Sequence, residues 1–436
     1  MRMMPKENAL EHEPVTSPAA AMPESSPWRV RYTVLMLMLV AFISYVDRQV
    51  LAILVVPIEK DLRISDTQMG ILTGIFFSGF YALAGIPLAR LSDNGNRRNM
   101  IGACIAFWSL ATALCGFVQS FAQLAVARAL VSVGESGSAP ASSSIVADII
   151  SPRRRTRVYG LISAGNAAGL AFGVFLGGIL TRALGWRQVF LVVSLPGLLI
   201  SLLILLTIRE PLRTGGVARE AGHGLLRTFK ALWALPSYRA LLALTVLASI
   251  GVFSVLGWMP TFLIRVHQMS HAEVGLKMGV AIMAGLLCGN ISSGFVTDWL
   301  SARDVRWLSW VSALGLLAAF PFGMASLFWG TASGSVLFLG FFMFFQGFWA
   351  PPTVTLVVGL VDSRARALAA STLTLVQAVG GAVGPFLVGV LNDRLSAGYG
   401  SQAIRYSLAV ALLGCLLGSA SAFVGATFVR RDYRAG

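Results

Sequence analysis

The stretch YTVLMLMLVAFISYVDRQVLAILVV, residues 32–56, decides the fold. An α-helix needs about 20 predominantly apolar residues to cross a bilayer, and this run exceeds that. Its composition reads as a membrane span, yet Asp47 and Arg48 stand inside it. A charged group in hydrocarbon costs at least ~2.5–3.5 kcal/mol on insertion scales, so each is a functional candidate.

The rest of the chain repeats the pattern. Candidate spans follow at 69–91, 100–118, 122–149, 157–180, 189–208, 240–263, 274–300, 307–325, 335–360, 367–391 and 404–429. The expectation is an all-α membrane protein with twelve transmembrane helices. The longest gap, 209–239, is polar, basic and contains two Pro. It divides the chain into a six-helix bundle over 31–208, a cytoplasmic linker loop over 209–239 and a second bundle over 240–430. Residues 1–30 read as a disordered cytoplasmic tail and 431–436 as a short one.

Composition points the same way. The 436 residues are 56% hydrophobic and 12% charged, with a mean hydropathy of +0.75. A soluble domain carries about 25% charged residues, so this chain cannot coat a water-facing surface. The net charge of +15 comes from short gaps between apolar runs. That distribution orients a membrane protein and makes no basic face for nucleic acid. One set of loops and both tails hold 24 Lys and Arg, and the other loops hold 7. Both termini are therefore expected in the cytoplasm, in an inner (plasma) membrane.

Cys104, Cys115, Cys288 and Cys415 lie inside apolar runs. They show no metal-ligand spacing and no disulfide framework. The absence of a Ser/His/Asp set or nucleotide loop argues against an enzyme, and no cofactor or metal is expected.

Span four adds Arg128 and Glu135 to the intramembrane charges. Seven residues nearly close two turns, so both share one helix face. Arg128 is placed to pair with Asp47 across helices, or with Glu135 through a substrate or water. A buried carboxylate is neutral unless paired, so a proton and an Arg compete for it, and that competition couples proton movement to conformation. Asp47, Arg128 and Glu135 are the expected coupling set. Arg48 and Arg128 favour an anionic small-molecule substrate. Asn166, Trp258, Asn290, Gln346, Trp349 and Gln377 are the polar span residues expected to contact it. Gly165, Gly169, Gly173 and Gly177 form a four-residue repeat in span five, expected to pack helices that slide during rocking.

The loop ARLSDNGNRR, residues 89–98, is similar to the G-x-x-x-D-R-x-G-R-R signature of the major facilitator superfamily. It departs at Ala89, Asn94 and Asn96. A second copy, GFVTD, ends at Asp298. Further stretches resemble the bacterial spinster-like subgroup: SYVDRQVLAIL from Ser44, ISDTQMGILTG from Ile64, RALVSVGE from Arg128, WMPTFL from Trp258 and VGPFLVGVLND from Val383. The likeness runs from Arg31 to the end. It implies the two-bundle facilitator fold, a monomer in the lipid bilayer, and transport by alternating access. It also implies that Asp47 and Glu135 are proton-coupling acids with Arg128 as partner. Asp93 and Asp298 become gating residues, with Arg97 and Arg98 as partners of Asp93. The expected substrate is an organic anion or amphipathic, lipid-like molecule. The alternative is an anion:cation-type proton symporter importing sugar acids or aromatic acids. Val174 stands where drug:proton antiporters carry a Pro after Gly173, which argues against drug efflux.

Overall fold

The computed structural model describes residues 26–211, 225–361 and 366–433. Most of the expected N-terminal tail and residues 212–224 of the linker lie outside them. Twelve membrane-length helices follow in order. The first half comprises α1 (Pro27–Leu62), α2 (three consecutive segments, Asp66–Gly70, Ile71–Phe76 and Phe77–Asn94), α3 (Arg97–Cys115), α4 (Phe121–Ile149), α5 (Pro152–Leu184) and α6 (Trp186–Thr207). The second comprises α7 (Pro236–His267), α8 (His271–Ser301), α9 (Trp307–Phe328), α10 (Ala332–Gln346 with Ala350–Leu360), α11 (Arg366–Tyr399) and α12 (Ala403–Asp432). By length and apolarity alone ten described stretches qualify as spans. One of these, Ser371–Asp432, holds most of α11 and all of α12, and α4 falls short because its many Ser and Gly residues, with Arg128 and Glu135, dilute its apolarity.

The chain folds as two six-helix bundles. Their outer faces are apolar: Leu83, Leu206 and Phe295 are 72%, 73% and 76% exposed. No soluble fold leaves such side chains in water on this scale, whereas lipid covers them at no cost. The linker, expected as a loop, contains a short helix, Leu225–Trp233. Its apolar residues are too few for a span, so hydropathy does not reveal it.

The halves repeat locally. α1 ends on Arg63 in the left-handed conformation (φ 53°), and Ser65 then caps α2 in a capping box with Gln68. α7 ends on Gln268 (φ 54°), and Ser270 caps α8 with Glu273. Each box satisfies two orphan helix N–H groups and sharpens the hairpin. These hairpins lie on the face opposite the termini.

Glycines set how closely helices approach. A Cβ at Gly165 would meet Met38 O at 2.8 Å, and one at Gly173 would meet Val46 O at 2.8 Å. The span-five stripe therefore joins α5 to α1 inside one bundle. This corrects the expectation of a sliding face: among the described residues the nearest neighbours of the four glycines are Met38, Phe42, Val46 and Ile53 of α1. Close crossings between halves occur elsewhere. Gly70 meets Pro385 O at 2.7 Å and Gly275 meets Val174 O at 3.0 Å, again as judged by an added Cβ. Both crossings lie towards the face opposite the termini. The middle of α2, Ile71–Phe76, is a π-helical turn, and it lies against α11 at Gly74 and Ala382.

Candidate functional site

A cavity of about 380 Å³ lies between the bundles. α1, α2, α4 and α5 form one wall, and α7 and α11 form the other. Most of the lining is apolar. The charged groups in it are Arg48, Arg128 and Glu135, all from the first half.

Glu135 is 1% exposed and anchors α4 to α1. Its Oε2 accepts from Ser44 Oγ at 2.8 Å and from Arg48 Nε at 2.8 Å, and Arg48 Nη2 is 2.7 Å away. Ser44 and Arg48 are four residues apart and so share the face of α1 that meets α4. The other carboxylate oxygen, Oε1, is buried without a hydrogen bond. The Arg48 guanidinium also lies over three rings, Phe77 at 4.8 Å, Tyr45 at 5.1 Å and Tyr81 at 5.3 Å. Aromatic faces attract a desolvated cation, which helps hold it in an apolar wall.

Arg128 is 2% exposed, and its Nε and Nη1 have no hydrogen-bond partner. Its guanidinium lies over the other side of the same neighbourhood, 5.3 Å from the Phe77 ring. The expected Arg128–Asp47 ion pair is not formed among the described residues. Nor does Arg128 touch Glu135 directly; Arg48 occupies that acid. The reason is helix phase: Arg48, not Asp47, follows Ser44 by one turn on the α4-facing side.

Asp47 is 1% exposed and is not part of the cavity wall. It points towards α3, where Thr112 Oγ1 donates to Oδ2 at 3.5 Å, and Oδ1 has no partner. Glu135 and Arg128 still act on it electrostatically. The four intramembrane charges thus form one cluster, with Asp47 in its second layer.

Of the polar residues expected to contact a substrate, Asn166 and Gln377 line the cavity. The others do not. Trp258 is buried and donates from Nε1 to Pro385 O at 2.9 Å, satisfying a carbonyl at the α11 proline. Gln346 donates to Cys415 Sγ at 3.3 Å inside the second bundle. Trp349 is buried there too, and Asn290 is exposed on α8. Sequence reasoning missed Tyr45, Phe77 and Tyr81. Their signal was available: Tyr45 and Arg48 are three apart on α1, and Phe77 and Tyr81 four apart on α2.

Of the expected gating set, Arg97, Arg98 and Asp298 are described. Arg97 is buried and bonds to Asp148, to Glu210 Oε1 at 2.7 Å and to Pro211 O at 2.8 Å. Arg98 N donates to Glu210 Oε2 at 2.8 Å. Arg97 therefore fastens α3 to α4 and to the start of the linker, and Arg98 fastens α3 to the start of the linker. The Asp93 side chain lies outside the described residues. Asp298 is exposed at the end of α8.

The halves are tied on the face opposite the termini. Arg265 of α7 pairs with Glu59 of α1 and bonds to both oxygens of Asp66 at 2.9 Å. Asn392 also donates to Asp66. Asp393 of α11 accepts from Asp66 N at 3.2 Å and Thr67 N at 2.8 Å, capping α2 from the other bundle. A carboxylate at a helix N-terminus is favoured by both the free N–H groups and the dipole. On the termini side no ion pair among the described residues joins the halves. The cavity continues that way past Tyr159 and Ser143.

Residues 37–385 match the sequence profile of the Major Facilitator Superfamily. An "MFS-type efflux pump" of Mycolicibacterium smegmatis is 32% identical over 413 residues, covering 93% of this chain and 95% of the relative. The sphingosine-1-phosphate transporter SPNS2 of Danio rerio is 27% identical, over 86% of this chain and 78% of the relative. A crystal structure of a bacterial homolog to the human lysosomal transporter Spinster, inward-facing and unoccupied, superposes with a TM-score of 0.84. It is 25% identical and covers 94% of this chain and 99% of that one.

Proposed function

Because the chain belongs to the Major Facilitator Superfamily and is a spinster-like, multi-pass membrane transporter rather than an enzyme, we propose that it is a proton-coupled carrier of an organic anion or an amphipathic molecule with an anionic head. The observation that supports this most directly is Arg128. Its buried guanidinium stands in the wall of a mostly apolar cavity and has two nitrogens without a partner, which makes a site prepared for a negative charge. The apolar remainder of the wall suits a hydrocarbon body.

The coupling follows from the Arg48–Glu135 pair. A proton taken by Glu135 neutralises the carboxylate and ends its ion pair. Arg48 then presents its N–H groups, beside Arg128, to the anion. Proton and anion thus enter the same state together. Asp47 sits behind this pair and holds the electrostatic balance of the cluster. The termini face is the cytoplasmic side of the plasma membrane, on the Lys and Arg excess, so the structure is inward-facing. Opening to the other side requires the Arg265 latch to part while the termini side closes.

The test is pH-driven movement of amphipathic anions in proteoliposomes, with Asp47→Asn and Glu135→Gln variants. Wild type should accumulate substrate with a proton gradient, and both variants should lose accumulation while retaining exchange at equilibrium. Full gradient-driven accumulation by both variants would sink the coupling assignment.

A further inference from the structure

A second concavity lies on the membrane-facing side of the second bundle, away from the central cavity. It encloses about 430 Å³. Leu300 of α8 and Trp307, Leu314 and Ala318 of α9 form its walls, and Phe345 and Phe348 of α10 its floor. It shares no residue with the central site. It exists because α10 breaks after Gln346, which brings Phe348 under α9. At Gly315 an added Cβ would collide with the Phe348 side chain, so α9 can settle onto that break only with glycine there. Leu314 and Leu317 are 45% and 44% exposed, so the channel opens sideways to lipid.

One end of the channel has a distinct chemistry. Leu300 and Trp307 flank the short turn that connects α8 to α9 on the termini face. That turn carries Arg303, Asp304 and Arg306. The Arg303 guanidinium lies over the Trp299 ring, its Cζ 4.1 Å from the centroid, and that of Arg306 lies over Trp310 at 4.6 Å. Trp307 packs edge-on against Trp310 at 5.1 Å. Asp304 is fully engaged by Arg306 at 2.9 Å and by Arg430 at 2.6 Å. Arg303 has no ion pair among the described residues. The mouth therefore keeps a net positive charge, presented by a guanidinium that rests against an indole ring.

We propose that this groove is a seat for one anionic phospholipid of the leaflet on the termini side, with an acyl chain in the channel between Leu300 and Phe345 and the phosphate on Arg303. The apolar channel alone would accept any lipid chain. Charge complementarity at its mouth selects the headgroup. A guanidinium donates two parallel N–H groups to phosphate oxygens, and the tryptophans sit at the level where indole rings favour the membrane interface. A zwitterionic headgroup brings its own cation to the same place and gains less.

The test uses the full-length protein in detergent, with phosphatidylglycerol or phosphatidylcholine of identical chains and native mass spectrometry to count retained lipid. Wild type should retain one phosphatidylglycerol at least tenfold better than phosphatidylcholine. Arg303→Gln should abolish that preference, and Ala318→Phe, which fills the channel, should lower retention of both lipids. Arg405→Gln, on the opposite face, should leave the preference intact. Transport activity, which uses the other cavity, reports that each variant is folded. Equal retention of the two lipids by wild type, or a preference that survives Arg303→Gln, would overturn the seat. So would loss of the preference in Arg405→Gln, or Ala318→Phe without effect. Erasure of the preference by inorganic phosphate would assign Arg303 to a soluble anion instead.

Discussion

Arg48 Nη2 stands 2.7 Å from Glu135 Oε2, and that contact leaves Arg128 as the unbonded cation of the cavity. The two arginines differ in what their loss removes. Glu135→Ala strands Arg48, whose side chain is 28% exposed, so the penalty should fall at or below the ~3–5 kcal/mol of a broken buried pair. Arg128→Gln removes no hydrogen bond from Nε or Nη1 and should change stability by about 1 kcal/mol or less. Thermal unfolding of the purified variants measures both. Equal destabilisation would mean that Arg128 has an anionic partner of its own in the resting protein.

Arg265→Gln should release the face opposite the termini. Arg265 is the cation that meets both Glu59 and Asp66, and without it two neighbouring carboxylates repel. A loss of ~3 kcal/mol moves a two-state ratio on the order of 100-fold. Spin labels at Lys60 and Arg394 should then report a longer distance between α1 and α11. An unchanged distance distribution would show that the glycine crossings alone keep this side shut.

Gly70→Ala tests those crossings. Its Cβ would lie 2.7 Å from Pro385 O, a backbone atom that cannot step aside. The same labels should show the same opening as for Arg265→Gln. Salt separates the two causes: the arginine effect shrinks at high ionic strength and the steric effect does not.

The Asp304 clip should be insensitive to pH near neutrality. Hydrogen bonds from Arg306 and Arg430 hold its carboxyl well below the usual carboxylate range. A depressed native value contributes stability above the unfolded pKa of about 3.9, and that contribution is lost only as pH falls through the native one. Hydrogen exchange at the end of α12, corrected for the intrinsic base-catalysed rate, should therefore match at pH 6 and pH 8. Asp304→Asn should raise it at both, since Arg430 loses its anchor. A variant effect seen only at pH 8 would contradict this.

The twelve spans were legible because each must satisfy its own backbone bonds in lipid, which forces long apolar runs. The gathering of Asp47, Arg48, Arg128 and Glu135 was legible for a related reason, since a charge in hydrocarbon needs company. The pairing among them was not. It depends on the rotation of α1 against α4, which hydropathy does not encode, so the sequence offers Arg128 either Asp47 or, through a substrate or water, Glu135, and does not show that Arg48 pairs with Glu135. Trp258 and Gln346 looked like ligand contacts because their own partners, Pro385 O and Cys415, are more than 60 residues away in sequence. The latch of Glu59, Asp66 and Arg265 was invisible for the opposite reason. At span ends charges are ordinary, and nothing local marks the ones that reach across to another bundle.

The wide turn at Ile71–Phe76 sets the azimuth of everything on either side of it. Asp66 meets Arg265 before that turn, and Phe77 and Tyr81 meet Arg48 after it. Each residue of an α-helix advances about 100°, more than a residue of the wide turn does, so running the same residues as a regular α-helix would swing one end by roughly that angle. The clasp and the binding chamber would then point in incompatible directions. The wide turn acts as a phase shifter, and it lets a single rod serve two appointments that a regular helix of the same sequence could not keep.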